Sequence, residues 1–298
     1  MRVAVVGEPA GWHVGRLTAR LTAMGHQAAT VRWCEIGAGA GSGPERFSPT
    51  ELDEADAVVV RGMPGAAATD DRLERVIFRM NALARLAARG TPVINAPRAL
   101  EAAIDKYLSA AWLAAGGLPV PRCRAAQGIE AAEQAREELG GDCAVKPIFG
   151  SRGRGILRVR SREEVAAIDP APTPDRLYLL QEFVPHPGWD VRVLLVGQRV
   201  FSMRRRAAPG DWRTNVALGG TPEPFAPPAD WVDLAIRAAR CLETDVAGVD
   251  LLPAADGRVL ILEVNGVPGW RALEAATSHD VTGAVAEYVV EQATKRPT

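Results

Sequence analysis

At 298 residues, with 35 basic against 36 acidic side chains and a formal charge of −1, the chain is long enough for two or three α/β units. It carries no electrostatic footprint for nucleic acid or an anionic membrane. The apolar start lasts only to Gly7 before Glu8-Pro9, too short for a signal peptide or a span, so a cytoplasmic protein is expected, and Cys34, Cys123, Cys143 and Cys241 form no Cys-x-x-Cys that would suggest zinc or a disulfide framework.

Residues 3–7 read as a strand ending in a glycine turn, residues 14–24 as a helix stopped by Gly25, and residues 28–33 as a second strand. A Gly/Ser/Pro-rich loop over 37–49 precedes a buried strand over 57–60, a helix over 70–89 and a strand over 92–95. Alternating strands and helices imply a parallel sheet whose ligands lie at the strand C-termini, where Arg61 and Asn95 fall. Arg61 is a candidate for holding a substrate carboxylate, because a guanidinium matches a carboxylate two-pronged. Gly7 to Gly11 does not spell Gly-x-Gly-x-x-Gly, so this first unit is not expected to bind a dinucleotide.

A helix over 97–115 carries Asp105-Lys106, and another spans 129–139. The strand ending in Val145-Lys146-Pro147 enters a loop bearing Gly150, Ser151, Gly153 and Gly155, and a strand resumes at 156–159. Glycines there let backbone N–H groups approach an anion. The order is not that of a P-loop, since the lysine precedes the glycines. Lysine occurs only three times, at Lys106, Lys146 and Lys295, in a chain that otherwise uses arginine. Those placed internally are therefore candidates for phosphate contacts. Strands over 177–184 and 190–196 follow, then a basic run over 202–206, a polar loop over 210–215 and a helix over 231–242.

Near the end, Val249-Asp250-Leu251 and the run from Leu260 to Asn265 flank a turn with Asp256-Gly257, which reads as a hairpin. On paired strands Asp250 and Glu263 share a face, a suitable oxygen donor set for a hard cation. A last helix covers 281–293.

Taken together, Asp105-Lys106, Val145-Lys146-Pro147 with Gly150 to Gly155, Gln181-Glu182-Phe183-Val184, Asp190-Val191-Arg192, Gly210 to Asn215, Asp245 to Asp250 and Glu263 to Gly269 resemble, in order, the motifs of RimK-like ATP-grasp ligases. The resemblance implies an α/β (α+β) ATP-grasp fold: an N-terminal domain over 1–96, a central subdomain with the glycine lid over 97–184, and a C-terminal subdomain over 185–298. It implies an ATP-dependent carboxylate-amine ligase working through an acylphosphate with ADP and phosphate released. Its partners are ATP, a small-molecule carboxylate and an amine. Mg²⁺ is the implied metal with Mn²⁺ as an alternate, and a homo-oligomer, dimer or tetramer, is compatible with it.

By the same resemblance Lys106 and Lys146 hold nucleotide phosphates and Gly150, Ser151, Gly153 and Gly155 form the lid. Gln181 to Val184 make the adenine hinge, and Asp190 lies near the ribose and triphosphate. Asp250, Glu263 and Asn265 are the implied metal ligands. Arg213 and Asn215 stabilise the transferred phosphoryl group, Arg205 serves the acceptor side, and Arg192 is a further substrate candidate. Where RimK has a His-Arg pair the chain has Ala217-Leu218, and its tail ends in Trp270-Arg271. The tail is similar to that of ligases acting on methanopterin-type or methylofuran-type carriers. A ligase that adds glutamate to a protein and an ATP-binding module without activity are the alternatives.

Overall fold

The structure, a computed structural model, describes residues 1–63, 72–150, 153–169 and 173–295. Its first part runs β1 (Arg2–Val6), α1 (Trp12–Ala23), β2 (Gln27–Val31), a small antiparallel pair β3 (Gly37–Gly39) and β4 (Arg46–Ser48), α2 (Thr50–Asp53), β5 (Ala57–Val60), α3 (Arg72–Ala88) and β6 (Val93–Ile94). The continuous Val/Ala runs of β1 and β5 are buried throughout their common register. That is the pattern of a parallel sheet covered on both faces, and the observed order is β2-β1-β5-β6, all parallel. The pair β3-β4 lies in the stretch expected to be loop.

The expected single helix over 97–115 is instead two: α4 (Pro97–Ile104) and α5 (Lys106–Ala115). The break is at Asp105, which leaves helical geometry and accepts bonds from the Tyr107 and Leu108 amides, each at 2.9 Å. An aspartate at this position satisfies two orphan donors of the new helix, and it sets Lys106 on the first turn of α5.

Then come β7 (Cys123–Gln127), α6 (Ile129–Glu138), β8 (Cys143–Lys146), β9 (Leu157–Val159), α7 (Arg162–Ala166) and β10 (Leu177–Glu182). These four strands form an antiparallel sheet, β7-β10-β8-β9, with α6 and α7 packed on one face around Tyr178 and Leu180. The last part holds β11 (Trp189–Val196), β12 (Arg199–Arg206), β13 (Thr221–Pro224), α8 (Ala229–Cys241), β14 (Val246–Pro253), β15 (Val259–Asn265), α9 (Arg271–Thr277) and α10 (Val281–Thr294). Its sheet is antiparallel, ordered β13-β12-β11-β14-β15. Residues grouped in sequence with the middle segment, Ala102, Ala103, Leu113 and Leu118, share a core with this sheet and α8.

The other face of the five-stranded sheet meets the parallel sheet. One core holds Val3, Val5, Leu17 and Leu21 together with Leu194, Met203, Trp270 and Val281 to Ala293. Asn95, 1% exposed, pins this joint. Its amide nitrogen donates to the Val246 and Gly266 carbonyls (2.8 and 2.6 Å), and its oxygen accepts from the Asp245 and Val246 amides (2.8 Å each). Both donors and both lone pairs are used. The strand-end position expected to face a ligand is thus a structural clasp.

Candidate active site

In the β14-β15 hairpin Asp250 lies opposite Glu263, and Gly248 opposite Asn265. Residues directly opposite point to one face, so two carboxylates and an amide share it, as the apolar runs suggested. The register slips after Asp250, leaving Leu262 as an extra residue, and such a bulge re-aims the side chains beside it.

Asp250 is not alone in its corner. Arg192 donates to both its oxygens at 2.7 Å, and Arg205 Nη2 lies 2.9 Å from Oδ2. Arg205 in turn forks onto Asp190 (2.8 and 2.5 Å), whose Oδ2 also accepts from Thr214 Oγ1 at 2.7 Å. Asp190, Arg205 and Asp250 are all buried. Burial by itself would raise the Asp250 carboxyl, but Arg192 and Arg205 outweigh it and hold it below the usual range. For Arg205 burial works downward, and Asp190 with Asp250 drives its affinity for the proton up.

Glu263 differs: its carboxylate makes no hydrogen bond among the described residues, with Lys106 Nζ at 4.0 Å. Asn265 Oδ1 accepts from the Val267 amide at 2.9 Å, which fixes the amide.

Two lysines face this edge. Lys106 donates to the Gly150 carbonyl at 2.7 Å and Lys146 to Gln181 Oε1 at 2.5 Å. Burial pushes Lys146 down from the usual 10.5 to about 8. Between those values the unfolded chain still holds the proton and the folded chain has lost it, so this group makes stability rise with pH across that window. An anion needs the ammonium form, so affinity for a polyphosphate is expected to fall as pH climbs through about 8. Lys146→Met should remove that pH dependence and cost on the order of 1.5 to 3 kcal/mol of nucleotide affinity near neutrality. Titrating a nonhydrolysable ATP analogue near pH 7 and near pH 9 checks both, and an unchanged titration removes Lys146 from the site.

The hairpin between β8 and β9 crosses the cleft. Gly153 has φ +73° and is buried, and a Cβ on it would fall on the Asn215 carboxamide and within 2.9 Å of Leu218. Arg213, paired with Asp211, also reaches the Ile156 carbonyl at 3.4 Å. Gly153 and Ile156 of this hairpin therefore sit against the polar loop of the five-stranded sheet. Gly153→Val should hold it off, and limited proteolysis of the hairpin is expected to slow with Mg²⁺ and an ATP analogue in the wild type but not in the variant.

At the other end, Glu182 turns its carboxylate to Arg122 (backbone N–H 2.9 Å, Nε 2.7 Å), so what it offers the cleft is backbone. The Phe183 amide donates to the Asp142 carbonyl at 2.9 Å, while the Val184 N–H has no partner among the described residues. The Phe183 ring carries the Arg158 guanidinium 3.3 Å from its centroid and meets Trp212 edge-on at 5.4 Å. Ile156, Leu252 and Leu262 line the space beside it. The result is an apolar slot with a free backbone donor, joined to a cationic and acidic end.

A family model, the RimK-like ATP-grasp domain, matches residues 103–289. The chain belongs to the RimK-like ATP-grasp family. Among its relatives is the tetrahydromethanopterin:alpha-L-glutamate ligase of Methanosarcina acetivorans, 32% identical over 269 residues, 80% of each chain. A probable alpha-L-glutamate ligase of Aeromonas salmonicida is 30% identical over 304 residues, 99% of this chain and 98% of the relative. Among solved structures, the ATP-grasp ligase PsnB, complexed with a phosphomimetic variant of its minimal precursor, Mg and ADP, superposes with a TM-score of 0.76. It is 26% identical and covers 98% of this chain and 99% of its own. The chain is thus an ATP-grasp ligase with the mixed α/β fold expected from its motifs. No helix among the described residues is long and apolar enough to cross a membrane.

In this RimK-like ligase one cleft gathers Lys106, Lys146, Gln181, Glu182, Phe183, Val184, Asp190, Arg205, Arg213, Asn215, Asp250 and Glu263. Asn265 sits on the same strand face, and Gly150, Gly153 and Gly155 lie between β8 and β9. Ser151 lies outside the described residues. Arg192, expected near a substrate, is spent on Asp250, and Arg61 stands apart at the end of β5. Leu252, Leu262, Trp212 and Thr214 were not singled out in sequence. Leu252 had a readable signal, since it is two residues beyond Asp250 on the same strand and so faces the same way.

Proposed function

We propose that this ligase joins a carboxylate to an amine at the expense of ATP, through an acylphosphate, adding an amino acid such as glutamate to a small-molecule coenzyme precursor of the tetrahydromethanopterin or methylofuran kind. The observation that carries the reading is the convergence of Lys106, Lys146 and an unbonded Glu263 in one cleft that continues into an apolar slot beside the Val184 N–H. Adenine suits the slot, with Val184 donating to it, and the lysines suit the phosphates.

The donor set is all oxygen: Glu263 with both oxygens unbonded among the described residues, and Asp250 Oδ1 and Asn265 Oδ1 each with a lone pair left after one accepted bond, which suits a hard divalent cation such as Mg²⁺. Bound there, the ion would neutralise phosphate charge during transfer. The residues do the rest by position. Lys146 and Lys106 place the phosphate chain, Arg213 and Asn215 face the group in transit, and the lid excludes water. The substrate carboxylate attacks the γ-phosphorus and the bond to the β-phosphate oxygen breaks, giving ADP. The neutral amine then attacks the acyl carbon, the bond from that carbon to the phosphate oxygen breaks with its electron pair leaving on phosphate, and the nitrogen gives up one proton. The acceptor class is supported by the methanopterin-directed relative. A peptide or protein acceptor is the second reading, favoured by the likeness to PsnB with its precursor.

Nucleotide product analysis, with L-glutamate offered together with pterin carriers or peptides, tests both. ADP formation with a pterin carrier supports the proposal, and ADP formation only with peptides moves it to the second reading. AMP as product would overturn the acylphosphate route.

A further inference from the structure

Arginines withdrawn from solvent at this edge are matched to acids: the buried Arg205 to Asp190 and Asp250, and the half-buried Arg192 to Asp250. Arg61 is not. At the end of β5 its Nη2 donates to the Pro268 carbonyl at 2.7 Å, its guanidinium lies 4.2 Å over the Trp270 ring, and its Nε is buried with no partner. No carboxylate pairs with it among the described residues, and burial, unopposed, pushes it down to about 9. A guanidinium withdrawn from water without a counter-charge is costly to fold, and such unmatched charge concentrates where ligands bring the missing partner.

The platform is rigid. Trp270 is fully buried, its indole N–H donates to Thr282 Oγ1 at 2.9 Å and its amide to His13 Nε2 at 2.9 Å. It is also close to the chemistry. Pro268 follows Asn265 by three residues, a reach of roughly 10 Å at most, and a Cβ on Gly248 would lie 3.0 Å from Pro268 Cβ and 3.5 Å from Arg192 Nε. The turn 266–268 thus separates Arg61 from the Arg192–Asp250 pair. The C-terminal edge of a parallel sheet is where α/β proteins take ligands.

We propose that Arg61, on its Trp270 platform, binds the free carboxylate of the amino acid that supplies the amine. The assignment rests on the ligase reading above. The carboxylate that becomes phosphorylated must reach the metal face of β14-β15, whereas Arg61 lies beyond the turn, where it suits a group that anchors without reacting. A two-pronged guanidinium contact there would leave the amine free to point across the turn.

The test uses the whole chain saturated with Mg²⁺ and a nonhydrolysable ATP analogue, titrated calorimetrically with L-glutamate. Wild type is expected to bind it. Arg61→Met should weaken glutamate roughly 10- to 100-fold while binding the ATP analogue as before, and Arg61→Lys should recover part of the loss. The dimethyl ester of glutamate should bind wild type no better than glutamate binds Arg61→Met. Without ligand, Arg61→Met should melt no lower than wild type, because it removes an unmatched, half-buried charge whose Nε is already without a partner. Equal glutamate affinity in wild type and Arg61→Met, or no glutamate binding by the wild-type complex, overturns the assignment and leaves the ligase reading standing. Failure of wild type to bind the ATP analogue would instead remove the ligase reading, and this assignment with it.

Discussion

Glu263→Gln is expected to keep affinity for an ATP analogue within about tenfold while lowering ADP release by about three orders of magnitude or more. The amide keeps the shape and one acceptor oxygen, so ground-state binding through the lysines and the apolar slot survives. If Glu263 helps hold a divalent cation, the lost charge would matter most as phosphate charge redistributes, because Asp250 and Asn265 alone would hold the ion less well. Glu263 is the carboxylate of the hairpin without a hydrogen bond among the described residues, so its replacement disturbs no buried pair and folding should be unchanged. Steady-state turnover with Mg²⁺ and then Mn²⁺, beside analogue titration, separates the two effects. Wild-type turnover in the variant would remove the metal assignment.

Arg205→Met should act on the fold. It takes the central cation from between Asp190 and Asp250, which are 1% and 4% exposed, leaving Asp190 with only Thr214 and Asp250 with only Arg192. Breaking a buried network from one side costs about 3 to 5 kcal/mol, to be read as a shift in urea midpoint. Replacing all four members, Arg192 included, by apolar residues should restore much of that loss while abolishing turnover, because the penalty lies in the stranded charges. A midpoint for Arg205→Met within about 0.5 kcal/mol of wild type would show the network to be well solvated.

Sequence order carried the β14-β15 hairpin well, because Asp250, Glu263 and Asn265 sit on neighbouring strands where alternation and one turn nearly determine register. The two internal lysines stood out against an arginine-rich background. The Asp190–Arg205–Asp250–Arg192 network was illegible for the opposite reason: its members come from three strands, and Arg205 reads in sequence as one of three consecutive arginines. The division at Asp105 was masked by the helical propensity on both sides, although a side-chain cap is a local signal. Asn95 illustrates a different limit. Its position at a strand end is where ligands are met, but all its bonding capacity goes to β14 and the turn after β15, partners up to 171 residues away.

The shared core of α1, β1 and α10 has a kinetic consequence. Val3, Val5, Leu17 and Leu21 pack against Val281, Val285 and Val289, so the parallel sheet that is synthesised first lacks part of its cover until α10 emerges. At the usual 5 to 20 residues per second this leaves an apolar sheet face waiting for roughly 10 to 40 seconds, far longer than collapse or hairpin formation takes. Burial of that sheet face is therefore expected to wait for α10, so a chain cut before Val281 should expose apolar surface that the longer chain covers.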